Sequence, residues 1–162
     1  MGLDMYLAVR LSLYSGEYRA PDKEAVAQLR ALSIFEGVPT CDNADAIELK
    51  VDVMYWRKAN HIHNWFVTNC QDGNDDCGRY HVGREQLVEL DRLASEVFMS
   101  QSPTVAAEKL PSTAGFFFGG TDYDEHYFED CRHTMTGLKK LLELSEPGGP
   151  LEKWSFEYTS SW

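Results

Sequence analysis

Apolar and polar side chains alternate along the first fourteen residues of the chain. The apolar side of this pattern is formed by Leu3, Met5, Leu7, Val9, Leu11 and Leu13. A strand with one face buried and the other in water produces such a period of two. The same alternation recurs at residues 47–55 and 154–159. We therefore predict three half-buried strands here, and a shorter one near residues 80–82.

Helical patterns fill the intervals between these strands. Apolar residues spaced three and four apart predict helices from Pro21 to a stop at Gly37 and Pro39, over about residues 57–69, and over 84–98. Residues 103–111 are expected to form a linker that is irregular or a short helix. Thr121 and Asp124 have the spacing of a capping box that would open a long helix to about Leu144. The run 115–119 (GFFFG) is predicted to be a fully buried strand.

The predicted order of elements is β-α-β-α-β-α-β-α-β. Because a doubly wound parallel sheet would show continuous apolar runs, the alternating strands favour a sheet with one exposed face. The chain is therefore predicted to be a single α+β domain over residues 1–162. Its sheet is expected to be mixed and largely antiparallel, with the helices mainly on one face.

Composition narrows the classes of partner. The 162 residues include 26 Asp and Glu against 15 Lys and Arg, for a formal net charge of −11. This charge argues against a broad nucleic-acid surface and against adhesion to an anionic membrane. Four cysteines without metal or disulfide spacing are expected to be reduced thiols. With no targeting or membrane-spanning pattern, we expect a cytoplasmic protein.

Several short motifs resemble those of a family of small, uncharacterised bacteriophage and prophage proteins. They lie at residues 1–7 (MGLDMYL), 55–60 (YWRKAN), 63–67 (HNWFV), 76–78 (DCG), 115–119 (GFFFG), 123–125 (YDE) and 160–162 (SSW). The resemblance runs from one end of the chain to the other. It implies a phage origin and a role inside the infected bacterial host, and it supplies no catalytic residues.

The densest candidate chemistry lies at residues 55–66, where two basic residues stand among aromatic ones. Rings can stack on a base while Arg and Lys bind phosphate, as nucleotide pockets require. A helical projection places Arg57, His61 and Asn64 opposite the buried side. The alternative is that the aromatic residues are core and the basic residues are solvated. The predicted ligand-binding residues are Trp56, Arg57, Lys58, Asn60, His63, Trp65, Tyr123, Asp124 and Tyr127.

A second candidate cluster follows Thr121. His126, Asp130 and His133 have the i, i+4, i+7 spacing of a metal-binding helix face. Because this face turns away from the apolar side of the helix, a solvated charged surface is the favoured interpretation, and no metal is expected. Asp124 projects toward the apolar side and could act as a general base, or simply complete the capping box. Cys70 and Cys131 could be nucleophiles only beside a histidine that the fold brings near.

These features support three hypotheses. The first is a non-catalytic phage accessory protein that binds a nucleotide-like host metabolite or immune signal. The second is an acidic protein that inhibits a host nucleic-acid enzyme by presenting carboxylates in place of phosphates. The third is a small hydrolase with Asp124 and His63 as its acid and base. No cofactor is expected, because standard cofactor and catalytic signatures are absent, and a homo-oligomer is compatible with the long first strand.

Overall fold

The computed structural model describes residues 2–15, 20–38 and 46–162. The strands of this part of the chain are β1 (Asp4–Tyr14), β2 (Ala46–Arg57), β3 (Arg79–Val82) and β4 (Ser155–Ser161). Its α-helices are α1 (Ala20–Arg30), α2 (Asn60–Cys70), α3 (Arg84–Ser100), α4 (Pro103–Lys109) and α5 (Glu125–Leu144), and a 3₁₀ turn covers Ser33–Phe35. The predicted helix stop at Pro39 lies outside the described residues.

The strands form one antiparallel sheet with the order β2-β1-β4-β3. At one edge, Arg79 pairs with Thr159 and Val82 pairs with Phe156. The predicted α+β class with a single sheet is confirmed. The strand predicted at residues 115–119 is wrong, since these residues form a turn and an irregular segment in which Phe116 is 95% exposed.

Strand β2 shows why the helices gather mainly on one face of the sheet. Met54 and Trp56 are buried, whereas Val51 and Tyr55 on the opposite face are about half exposed. The period of two thus separates a face that packs on helices from one that meets water.

The described residues fall into two compact units, one made of residues 1–9 and 51–162 and the other of residues 10–50. In the larger unit, apolar residues of α2, α3, α4 and α5 and the covered face of the sheet form one core. Trp56, Phe66 and Tyr158 are among its largest fully buried side chains. Two of its residues, Tyr127 and Phe118, line the cavities described below.

The smaller unit has its own core of Leu13, Val26 and Ile47. Partly buried Leu11, Ala25, Leu29 and Leu49 pack against it. An ion pair between Arg10 and Glu48 joins β1 to β2 within this unit.

Two predicted helix starts are corrected. Strand β2 continues to Arg57, and Lys58 then takes a left-handed backbone conformation (φ 61°), so α2 begins at Asn60 instead of about Arg57. Helix α5 begins at Glu125, with Asp124 as the N-cap, because the Asp124 carboxylate accepts a hydrogen bond from the Tyr127 amide. Asp124 therefore does not take the N3 position predicted beside Thr121.

None of the helices in the described part of the chain is both long and apolar enough to cross a membrane.

Candidate functional site

One buried amide makes three hydrogen bonds to the segment between α4 and α5. The Asn60 side chain, at the first residue of α2, donates from Nδ2 to the Phe118 carbonyl (3.1 Å) and the Gly120 carbonyl (2.7 Å). Its Oδ1 accepts from the Thr113 amide (3.0 Å). Since a buried Asn must place each polar group, these three bonds, together with the bond from the Leu3 amide to the Phe117 carbonyl (3.0 Å), fix the path of residues 113–120.

This segment lines two cavities of the larger unit. The first, called the polar cavity below, has a volume of about 340 Å³ and includes Gly119 and Gly120. Its other lining residues are Arg57, Lys58, Asn60, His61, Asp122, Asp124, His126, Tyr127, Glu129 and Asp130. The second, called the aromatic cavity, has a volume of about 450 Å³. It is lined by His63, Asn64, Val67, Asp75, residues 113–118 and Trp162.

The polar cavity carries more negative than positive charge. Arg57 and Lys58 face four carboxylates there, on Asp122, Asp124, Glu129 and Asp130. Arg57 also lies 3.8 Å from the Asp4 carboxylate. A phosphate group would therefore meet a net negative environment in this cavity, and like charges at these distances repel.

One of these carboxyls has a strongly altered acidity. The pKa of Asp130 is raised to about 7, mainly by burial and to a smaller extent by the neighbouring carboxylates of Glu129 and Asp124, while His126 acts in the opposite direction. The Asp130 carboxyl is accordingly close to half protonated at neutral pH.

A histidine and a cysteine meet at the buried side of the polar cavity. His61 is 3% exposed, its ring lies 4.0 Å from the Tyr127 ring, and its Nε2 lies 3.7 Å from Cys131 Sγ. Burial lowers the pKa of His61 to about 3 and raises the pKa of the Cys131 thiol to about 12. Both groups are therefore neutral, and the pair lacks the thiolate that a cysteine nucleophile needs.

The walls of the aromatic cavity are rings at right angles to one another. Phe116 and Phe117 are in edge contact (centroids 4.9 Å apart), and Phe118 lies edge-on to both His63 (5.1 Å) and Trp162 (6.1 Å). Phe118 is buried, whereas Phe116 stands in solvent at the cavity mouth. Such a surface offers flat apolar faces to a ligand.

The floor of this cavity is a buried imidazole between a phenol and a carboxylate. His63, which is 1% exposed, makes a hydrogen bond of 2.7 Å between Nδ1 and the Tyr158 hydroxyl. Its Nε2 lies 3.1 Å from Asp75 Oδ2, but without the alignment of a hydrogen bond, so this nitrogen has no hydrogen-bond partner. The other Asp75 oxygen, Oδ1, accepts from the Trp162 indole N–H at 3.1 Å.

The position of Asp75 assigns the proton on His63. Asp75 Oδ2 lies 3.1 Å from Nε2, and a carboxylate oxygen this close to a ring nitrogen favours an N–H there over a lone pair. The other ring nitrogen, Nδ1, then accepts from the Tyr158 hydroxyl at 2.7 Å, which stays protonated because burial raises the pKa of Tyr158 well above its usual range.

The structure distributes the predicted ligand-binding residues over several places. Arg57, Lys58, Asn60, Asp124 and Tyr127 line the polar cavity.

The remaining predicted ligand residues lie elsewhere. His63 lines the aromatic cavity, Tyr123 borders a third cavity beside Phe128, and Trp65 is buried. Trp56 is in the core, where its indole N–H donates to Thr134 (2.8 Å). The projection that pointed His61 outward is wrong, because the later start of α2 places that side chain in the interior.

The structure does not bring together all the residues of the metal hypothesis, nor the two residues of the acid-base hypothesis. His126 and Asp130 line the polar cavity, but His133 donates from Nε2 to the Tyr55 carbonyl (3.0 Å). Over the residues described, no group of three or more His, Cys, Asp or Glu side chains could hold a metal ion. His63 and Asp124 line different cavities, so they do not face one substrate as an acid and base.

The sequence pattern does not predict Asp75 and Phe116–Phe118 as residues of the site. Asp75 lies in an acidic turn, and its approach to His63 depends on how that turn folds back. The pattern at Phe116–Phe118 predicts a buried strand instead. The available signal was the glycine on each side of the run, which is more typical of a loop than of a strand interior.

Comparison with protein-family models, with curated protein sequences and with solved structures finds no significant match to the chain.

Proposed function

We propose that this protein is a non-catalytic binding protein that holds a small planar ligand in the aromatic cavity. One observation carries the proposal: a cavity of about 450 Å³ is walled by phenylalanine and tryptophan rings and has an unpartnered buried nitrogen, His63 Nε2, at its floor. Ligand sites are typically apolar concavities of roughly 300–1,000 Å³ with a few converging polar groups.

The surrounding contacts support a preformed site. Asn60 holds the segment that carries the three phenylalanines, and Tyr158 holds His63. Because these groups are fixed before a ligand arrives, little ordering entropy is lost on binding.

The acidities of the candidate nucleophiles support binding over catalysis. Burial raises the pKa of both the Cys70 and the Cys131 thiols to about 12, which keeps them protonated at neutral pH. A protonated thiol is a poor nucleophile.

The proposal changes the site that the sequence suggested for a nucleotide-like ligand. Arg57 and Lys58, the expected phosphate partners, face the carboxylates of the polar cavity. The phage origin, the role against host defence and the acidic-inhibitor alternative stay predictions of the sequence.

A cavity-filling pair of variants tests the proposal. Ala114→Trp places an indole in the aromatic cavity, and Gly120→Trp places one in the polar cavity, where a Cβ meets nothing within 4 Å. Both variants and the parent protein are titrated with indole, adenosine and cytidine, followed by thermal shift and calorimetry. We expect at least one probe to bind the parent and the Gly120 variant but not the Ala114 variant. Absence of binding by all three planar probes, or loss of binding in the Gly120 variant alone, would contradict the proposal.

A further inference from the structure

We infer that the ligand of the aromatic cavity is an unphosphorylated heteroaromatic compound whose ring edge carries a hydrogen-bond acceptor beside an N–H donor, as in a nucleobase or nucleoside. This inference rests on the proposed function and narrows it to one class of ligand. It comes from three features of the cavity floor and lining.

The first feature is a donor beside an acceptor. His63 Nε2 carries a proton that no group accepts, and Asp75 Oδ2 lies 3.1 Å away. A ring edge with an acceptor next to an N–H can accept from His63 and donate to Asp75 at once. Bidentate pairing with a planar edge is the arrangement by which protein side chains recognise bases.

The second feature is the free-energy cost of leaving His63 Nε2 without a hydrogen-bond acceptor. The His63 side chain is almost completely buried, and a buried donor without an acceptor destabilises the folded protein. A ligand that accepts from Nε2 recovers this free energy, whereas an apolar ring of the same size does not. The cavity should therefore prefer heteroaromatic rings to plain aromatic ones.

The third feature is charge. Among the residues that line the aromatic cavity, Asp75 has the only carboxylate, and neither Lys nor Arg is present. A phosphate on the ligand would find no cation there and would be repelled by Asp75 and by the net charge of −11. Nucleosides and free bases are thus favoured over nucleotides.

The acceptor is held in position by its second oxygen. Trp162 donates to Asp75 Oδ1 at 3.1 Å, and its ring contacts Phe118. Asp75 Oδ2 therefore stays beside His63 Nε2, with room for a hydrogen bond to a ligand. Trp162 also provides an optical signal, because its indole forms part of the cavity wall.

Matched ligands test the inference. Adenosine is compared with N6,N6-dimethyladenosine, which lacks the N–H donor, and with 5′-AMP, which adds a phosphate; cytidine and N4,N4-dimethylcytidine form a second pair. We expect adenosine or cytidine to bind about tenfold more tightly than its dimethyl analogue, as removal of a hydrogen bond to a charged group predicts. We expect 5′-AMP to bind about tenfold more weakly than adenosine at low salt, and this difference to shrink at high salt.

Three substitutions test whether these preferences arise in the aromatic cavity. Asp75→Asn keeps the shape and the acceptor for Trp162 but removes the charge, so the penalty on 5′-AMP should shrink. Asp72→Asn makes the same charge change in the same turn without lining the cavity and should leave the penalty unchanged. Tyr158→Phe removes the hydroxyl that positions His63, and we expect it to lower the preference for adenosine over its dimethyl analogue while indole binding is retained.

The outcomes separate the inference from the proposed function. If indole binds as tightly as the nucleosides, or if dimethylation changes nothing, the inference is overturned while the cavity remains a ligand site. If 5′-AMP binds more tightly than adenosine, the charge argument is overturned. If none of these planar compounds binds, both the inference and the proposed function fail.

Discussion

The two cavities beside residues 113–120 differ in the charged and the aromatic side chains that line them. The polar cavity holds Arg57 and Lys58, but four carboxylates and no phenylalanine or tryptophan line it with them. The aromatic cavity has phenylalanine and tryptophan walls and a single charged residue, Asp75. The residue types that together suggest a nucleotide site in the sequence are thus divided between two places.

This division shows how little sequence proximity implies about a shared site. Lys58, Asn60 and His63 lie within six positions, yet they have three roles. Lys58 takes a left-handed turn beside the polar cavity, Asn60 attaches the segment between α4 and α5, and His63 lies at the floor of the aromatic cavity. Of these three side chains, only His63 has a buried polar atom without a hydrogen-bond partner.

The largest expected effect is a variant that breaks both cavities. Asn60→Ala removes three buried hydrogen bonds, at about 1 kcal/mol each, so we expect a loss of about 3 kcal/mol in the free energy of unfolding and a loss of ligand binding. Urea denaturation measures the stability. Asn69→Ala, which removes a single bond to the Trp65 carbonyl, is the control and should cost less than 1 kcal/mol. Equal losses in the two variants would show that Asn60 does not hold the segment.

A second variant should damage only the aromatic cavity. A Cβ at Gly115 would lie 2.5 Å from the Phe118 ring, so Gly115→Ala must displace that ring. We expect about 2 kcal/mol of destabilisation and loss of binding of the planar probes. Gly120→Ala adds the same methyl group where nothing lies within 4 Å, and both stability and binding should stay at parent values. Binding that survives in the Gly115 variant would place the ligand elsewhere.

A third variant concerns only the polar cavity. The pKa of Asp130 is raised to about 7 in the folded state, so folding is favoured by its protonation. Its contribution is fully present below about pH 4 and is lost as the pH rises through 7. Asp130→Asn should therefore match the parent near pH 4 and exceed it by about 2 kcal/mol at pH 8, measured by urea denaturation at each pH.

Glu129→Gln is the control for this pH dependence. The Arg132 guanidinium holds the pKa of Glu129 below its usual value, so that substitution should give no gain at pH 8. A constant difference between Asp130→Asn and the parent across the pH range would contradict a raised pKa of Asp130. Ligand binding in the aromatic cavity should be unchanged by either substitution.

The smallest expected effect is at the mouth of the aromatic cavity. Phe116 is 95% exposed, so Phe116→Ser should change stability by less than about 0.5 kcal/mol. Because its ring borders the cavity, the affinity for adenosine should fall a few-fold in calorimetry. Met99→Ser removes another exposed apolar side chain, 76% exposed on α3, and should alter neither quantity.

Much of the fold could be predicted because local sequence patterns indicate the individual strands and helices. The alternation in residues 3–13 and 47–55 gave β1 and β2, and the apolar stripes over 84–98 and up to Leu144 gave α3 and α5. These patterns repeat over many residues, so one irregular position does not hide them.

The candidate site could not be predicted in the same way. A run of three phenylalanines is apolar and predicts a strand at residues 115–119, but Asn60 holds this segment in an irregular conformation through bonds across more than fifty positions. The Asp75–His63–Tyr158 arrangement likewise joins a turn, α2 and β4. Contacts that span such distances in sequence leave no periodic signal. The sequence pattern predicts too early a start for α2, because the left-handed turn at Lys58, an uncommon conformation for lysine, has no clear sequence signature.

The location of ligand binding can be measured directly by two-dimensional ¹H–¹⁵N NMR during titration with adenosine or cytidine. If the ligand binds in the aromatic cavity, we expect the indole N–H resonance of Trp162 and the backbone amide resonances of residues 113–118 to shift with a common affinity. The backbone amide resonances of His126 and Asp130 should stay in place. Shifts at Arg57, His126 and Asp130 with an unchanged Trp162 signal would contradict this expectation, and would place the ligand in the polar cavity.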